Sequence, residues 1–154
     1  MIPAQNMKQY ILDSNFLTVL EDSTSPEYQN VFKKLSSFAE EDEVCVSIIS
    51  MYEYFYGIYN APDESLSRQL RKTMDTILEL FIVIPLSLKG AEFYGKIKSE
   101  YRRRTGSNRT DMRHHNVDII LASVALELNA VIVSKDKIFL RIKEFQKELQ
   151  VESW

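Results

Sequence analysis

The apolar positions of this chain fall into two kinds of run. Short unbroken ones, within residues 8–12 ("KQYIL"), 43–47 ("EVCVS"), 81–84 ("FIVI") and 130–134 ("AVIVS"), read as strands buried on both faces. Longer ones repeat with the helical period. Over residues 25–41, Tyr28, Val31, Phe32, Leu35, Phe38 and Ala39 share a face. Ser25 there is suited to an N-cap and Pro26 to the first helical position. Residues 50–60, 64–80, 86–104 and 116–129 read as further helices, a short one starts near Lys137, and residues 105–115 read as a polar loop. The tail "LQVESW" can add a fifth strand. Strands alternating with helices predict an α/β fold, a three-layer α/β/α sandwich on a central, mostly parallel sheet of four or five strands.

Composition narrows this little. A chain of 154 residues, 45% hydrophobic and 27% charged, suits one domain with a real core. We read it as residues 7–154, preceded by a disordered extension over 1–6. Its single cysteine, Cys45, excludes an internal disulfide and reads as a small buried hydrophobe on a strand. No secretion signal and no apolar run of membrane-spanning length is visible, so a cytoplasmic protein is expected.

The junctions between strands and helices carry the chemistry. In parallel sheets ligands bind beyond the carboxyl ends of the strands. Asp13 directly follows the first strand, Glu53 lies in the first turns of the helix after the second, Asp118 begins the helix leading into the fourth, and Asp136 stands just past that strand. Each has an ordinary reading. Asp13 and Asp136 suit N-caps, "SMYE" (50–53) matches a capping box, and Asp118 suits the positive end of its helix. Together they predict an acidic edge whose charges need a cation. An all-oxygen donor set selects hard ions, Mg2+ or Mn2+, and such ions act on phosphates. Phosphodiester hydrolysis is the reaction implied.

In order, "YILDSNFL", "SIISMYEYFYG", "VDIILASVAL" and "VIVSKD" resemble the PIN-domain nucleases, and within them the VapC-like toxins of toxin–antitoxin pairs. The resemblance runs from about Lys8 onward. It implies a ribonuclease in which Asp13, Glu53, Asp118 and Asp136 hold Mg2+ or Mn2+, with a protein antitoxin as partner. It also implies supporting places for Asn15 and for Ser134, a hydroxyl that orients a carboxylate. Asp111 is a rival third acid, set aside because Asp118 starts a helix and Asp111 does not. Ala122 and Ala125, four and seven positions beyond Asp118, let that helix approach the sheet closely. Two alternatives stand beside this reading. One is a PIN fold that binds RNA or acts as a scaffold without cutting. The other is a haloacid-dehalogenase-type phosphatase, which needs a second Asp where Asn15 stands.

Three features remain. Residues 96–115 hold Lys96, Lys98, Arg102, Arg103, Arg104, Arg109 and Arg113 against Glu100 and Asp111, in a chain of formal charge −3. This is either a phosphate-binding strip for RNA or a solvated helix end. His114 and His115 have no third His or Cys nearby and read as a solvated loop or an RNA contact. The helix "MYEYFYGIY" is aromatic or apolar on every face, which predicts a second surface such as a homodimer contact or a groove for a partner helix, unless the next helix covers it.

Overall fold

A computed structural model describes residues 7–154; the extension read over 1–6 lies outside the described residues. The elements are β1 (Gln9–Leu12), α1 (Ser14–Val19), α2 (Pro26–Leu35), β2 (Glu43–Ser47), α3 (Ile48–Tyr59), α4 (Glu64–Leu80), β3 (Ile82–Ile84), α5 (Leu88–Thr105), α6 (Arg109–Arg113), α7 (Asn116–Leu128), β4 (Val131–Val133), α8 (Lys137–Lys143) and β5 (Gln150–Glu152).

All five strands pair in parallel, in the order β3-β2-β1-β4-β5. Successive strand residues point to opposite faces, and both faces here are covered. Ile11, Cys45 and Ile132 enter one core with Ile97, Tyr101, Ile119 and Phe139 of α5, α7 and α8. Their neighbours Tyr10, Leu12, Val46, Val131 and Val133 enter the other, with Phe16, Leu17, Val31, Met51 and Ile77 of α1 to α4. That division makes the three layers. The residues of the "LQVESW" tail form the fifth strand, paired to β4, and Trp154 packs edge-on against Phe16 and Phe38. Ala122 and Ala125 are fully buried between α7 and the sheet. No described helix is long and apolar enough to cross a membrane.

Three local expectations need correction. The helix expected over 25–41 ends at Leu35, where Ser36 and Ser37 turn their hydroxyls back onto the Phe32 and Lys34 carbonyls. Phe38, released from the helix, stacks on Tyr10 at 4.4 Å. The loop expected over 105–115 contains α6, capped by Asn108, whose side-chain oxygen accepts from the Asp111 amide at 2.9 Å. It is anchored by the buried Met112. The helix expected from residue 50 starts at Ile48, because Ser47 caps it, accepting from the Ile49 amide. Ser50 and Glu53 therefore lie inside α3 and form no capping box.

Between β1 and β4 the chain reverses its direction of travel across the sheet. The carboxyl ends of those two strands flank the crevice where doubly wound sheets bind ligands.

Candidate active site

The crevice is built from four segments. Asp13 continues β1, its amide donating to the Val133 carbonyl at 3.0 Å. That bond places the carboxylate beside the end of β4 and buries it almost completely, at 3% exposure. Asp13 occupies the N-cap position of α1 yet makes no side-chain cap hydrogen bond. Instead its Oδ2 accepts from the Ser134 hydroxyl at 2.7 Å. The Ser134 oxygen in turn accepts from the Asp136 amide at 2.9 Å, which shapes the turn after β4. Burial raises the Asp13 pKa, and the Asp136 charge adds to the rise. The Ser134 hydroxyl and the nearby Ser14 and Asn15 amides oppose it.

Asp136 does serve as an N-cap. Its Oδ1 accepts from the Ile138 amide at 3.1 Å, leaving Oδ2 outside that bond. The ordinary reading and the acidic-edge reading of this residue are therefore compatible. Glu53, on the exposed side of the second turn of α3, accepts at Oε2 from the Ser14 hydroxyl at 3.0 Å. Ser14 also meets the buried Ser50 hydroxyl at 3.1 Å, so α1 and α3 are joined through these side chains.

Asp118 sits in the first turn of α7 and is partly buried. Its carboxyl is pushed up to about 7, first by burial and then by the negative charges of Asp13, Asp136 and Glu53. Asp118 thus feels the charge of all three other acids, and Asp13 feels that of Asp136. Among the described residues none of them has a Lys or Arg nitrogen within ion-pair distance. Lys135 and Lys137 are exposed. Asp111, set aside because it was not expected to begin a helix, does stand in the first turn of α6; it is exposed there and is not among the charges that raise Asp118.

No three acidic, imidazole or thiol groups among the described residues form a ready-made metal cage. Magnesium does not need one, since it retains water and is bound by one or two carboxylates together with substrate phosphate. The donor set fits such an ion. It is all oxygen and uncompensated, and Asp118 within it is pushed up to about 7 by burial and then by its acidic neighbours.

Asn15 is exposed on α1 and borders two shallow recesses, one beside Ser14 and Glu53, the other beside Lys135 and Asp136. The basic stretch is divided. Arg103 and Arg104 both pair with Glu100, Arg104 at 2.8 Å, and Arg104 also lies over the Phe145 ring. Arg102 stands at the end of α5, while Arg109 and Arg113 are exposed on α6. His114 ends α6, and His115 packs its ring on Tyr101. On α3, Met51 and Ile58 are buried, but Tyr52, Phe55, Tyr56 and Tyr59 remain exposed, so α4 covers only part of the aromatic helix.

Sequence reasoning did not single out Ser14 as a partner of Glu53, nor Asn116 at the start of α7. Asn116 Oδ1 accepts from Lys98 Nζ at 2.8 Å and from the Tyr94 hydroxyl at 3.0 Å. Nothing in local spacing announces either contact, because the partners are far apart along the chain.

The family model described as PIN domain matches residues 10–145. No curated protein matches the chain in sequence. Among solved structures, it is similar to a chain of VapBC2 from Rickettsia felis, a complex bound to a promoter DNA fragment. The TM-score is 0.69 and the identity 23%, covering 95% of this chain and 98% of that one. VapBC-1 of nontypeable Haemophilus influenzae gives 0.71 at 20% identity, covering 95% and 98%. FitAcB of Neisseria gonorrhoeae gives 0.69 at 21%, covering 92% and 95%. At such identities the likeness to these structures is one of fold.

Proposed function

The chain belongs to the PIN-domain family, and from that premise we propose that it is a Mg2+- or Mn2+-dependent endoribonuclease acting as the toxin of a toxin–antitoxin pair. The observation that carries the nuclease reading is the uncompensated acidic crevice, in which burial and then the charges of Asp13, Asp136 and Glu53 raise the Asp118 carboxyl to about 7. The toxin role is supported by the fold shared with the VapBC and FitAcB complexes.

Asp13, Asp118 and Asp136 would hold the metal, and Glu53 would reach it through water or orient the attacking water. A bound divalent ion supplies charge stabilisation for the phosphate oxygens and lowers the pKa of coordinated water. The protein's own part is placement. Ser134 fixes the rotation of the Asp13 carboxylate, and Ser14 fixes Glu53 at the opposite side of the crevice. Water aligned against the phosphorus displaces the 3′ oxygen, leaving a 5′-phosphate and a 3′-hydroxyl. No imidazole is required for this chemistry. Asn15, at the rim, would contact the substrate. The cations of α5 and α6, Arg102, Arg103, Arg104, Arg109 and Arg113, would bind RNA phosphates.

The exposed aromatic face of α3 is the surface we assign to protein partners, an antitoxin or a second copy in a homodimer. A cytoplasmic location follows from this role.

The test is cleavage of a labelled single-stranded RNA by purified protein with Mg2+, with Mn2+ and with chelator. Metal-dependent cutting that is lost in Asp13→Ala and Asp118→Asn is expected. Cutting unaffected by chelator, or full activity in Asp118→Asn, overturns the reading. RNA binding with no cleavage under any metal favours a scaffold. Growth arrest on expression, relieved by Asp136→Ala, tests the toxin role separately.

A further inference from the structure

The basic strip of α5 contains a feature that the arginine run hides. Lys98 is half-buried, and among the described residues no carboxylate lies within ion-pair distance of its ammonium. It is seated between two oxygens. Nζ donates to the Tyr94 hydroxyl at 2.9 Å and to Asn116 Oδ1 at 2.8 Å, and it lies 5.2 Å from the Tyr94 ring centre. An ammonium has three donors, so one remains.

Lys98 and Arg102 are four residues apart and share a face of α5. Both line an open trough of about 1030 Å³, together with Gly95, Ser99, Gly106 and Ser107. Arg103 also borders the trough but is tied to Glu100, whereas among the described residues Lys98 and Arg102 have no acidic partner. Leaving a half-buried cation unpaired costs stability unless an anion arrives. The trough also has a direct link to the acidic crevice. Asn116, which holds Lys98, is the first residue of α7, and Asp118 is the third, within the same first turn.

We propose that this trough is a seat for an RNA backbone phosphate flanking the one that is cut, with Lys98 as its inner contact and Arg102 as its outer one. The proposal rests on the ribonuclease reading above and deepens it. It assigns the substrate path to one face of α5, set by the Tyr94–Lys98–Asn116 contacts. The three consecutive arginines then contribute unequally, since only Arg102 faces the seat without an internal partner.

Binding of a short labelled single-stranded RNA, measured in chelator at several salt concentrations, tests it. Each phosphate contact on a single strand contributes about 0.7 to the slope of log K against log salt. Lys98→Gln should flatten the slope by about that amount, so that the affinity lost between about 50 and about 200 mM salt shrinks by about 2.5-fold. Lys98→Arg should keep the wild-type slope.

A second variant separates binding from folding. A Cβ at Gly95 meets nothing within 4 Å, and glycine is a poor helix former. Gly95→Glu should therefore raise the melting temperature, by about 1–3 °C, while its carboxylate weakens RNA binding. If Lys98 only tethers α5 to α7, Lys98→Gln lowers the melting temperature with an unchanged slope, and Gly95→Glu binds RNA as wild type does. That pair of results overturns the seat and leaves the nuclease standing. Wild-type protein that binds no RNA removes both.

Discussion

The Ser134 hydroxyl donates to Asp13 Oδ2 at 2.7 Å, joining the ends of two adjacent strands that are 121 residues apart in sequence. The same oxygen accepts the Asp136 amide at 2.9 Å, so one side chain orients a buried carboxylate and shapes the turn that carries another. Ser134→Ala strands a buried acceptor, which costs about 1–3 kcal/mol. Outer partners of metal ligands are worth about 10–100-fold in affinity. Chemical denaturation should show the first loss, and a Mn2+ titration of RNA cleavage should show the second as a raised metal requirement.

The metal-free protein should become less stable as pH rises from about 4 to about 7. Asp118 is near 3.8 when unfolded and is pushed up to about 7 when folded, so over that window the folded state binds the proton more tightly. Deprotonation then favours unfolding. The raised Asp13 pKa acts in the same direction. The crevice is open to water, which limits the effect to about 1–2 kcal/mol, or several degrees in Tm for a chain of this size. Asp118→Asn should flatten the profile and raise the metal-free Tm near neutral pH. Saturating Mg2+ should stabilise the wild type more than the variant. A wild-type profile that is flat from pH 4 to pH 7 would contradict the repulsion.

Ser14→Ala tests the placement of Glu53. The variant loses the 3.0 Å contact to Oε2 but leaves Asp13 and Ser134 in place. kcat for RNA cleavage should fall by about 10-fold or more with little change in KM, since only orientation in the transition state is lost. A KM effect alone would assign Ser14 to substrate binding.

Ala122→Leu probes how α7 reaches the sheet. Ala122 is fully buried against the core that contains Ile11 and Ile132, so added methylenes force α7 outward, at about 1–3 kcal/mol. Asp118, one turn earlier on the same helix, moves with it. Lower Tm and weaker metal response should appear together, whereas an equal loss of Tm from a change on the α2 side of the sheet should leave the metal response intact.

What could be read from the sequence follows from the distance over which each feature is encoded. Strands such as "EVCVS" are local, because burial on both faces requires unbroken apolar residues. The four acids were visible as junction residues, since a parallel sheet sends every strand's carboxyl end to one edge. The end of α2 was hidden, because Phe38 continues the helical period and yet leaves the helix to stack on Tyr10. The α6 turn was hidden by its polar surface, with only Met112 holding it inward. Ser14 with Ser50 and Glu53, and Lys98 with Tyr94 and Asn116, are meetings of separate segments. No periodicity encodes them.

The amide of Ser134 donates to the carbonyl of Glu152 at 2.9 Å, where β5 closes against β4. A ribosome releases Asp13, Glu53 and Asp118 well before the residues that supply this bond. During synthesis the crevice therefore has its acids but not the strand that steadies the serine between two of them. Maturation of the site is thereby tied to completion of the fold, and a chain interrupted before β5 carries the full set of acids without the support that orients them.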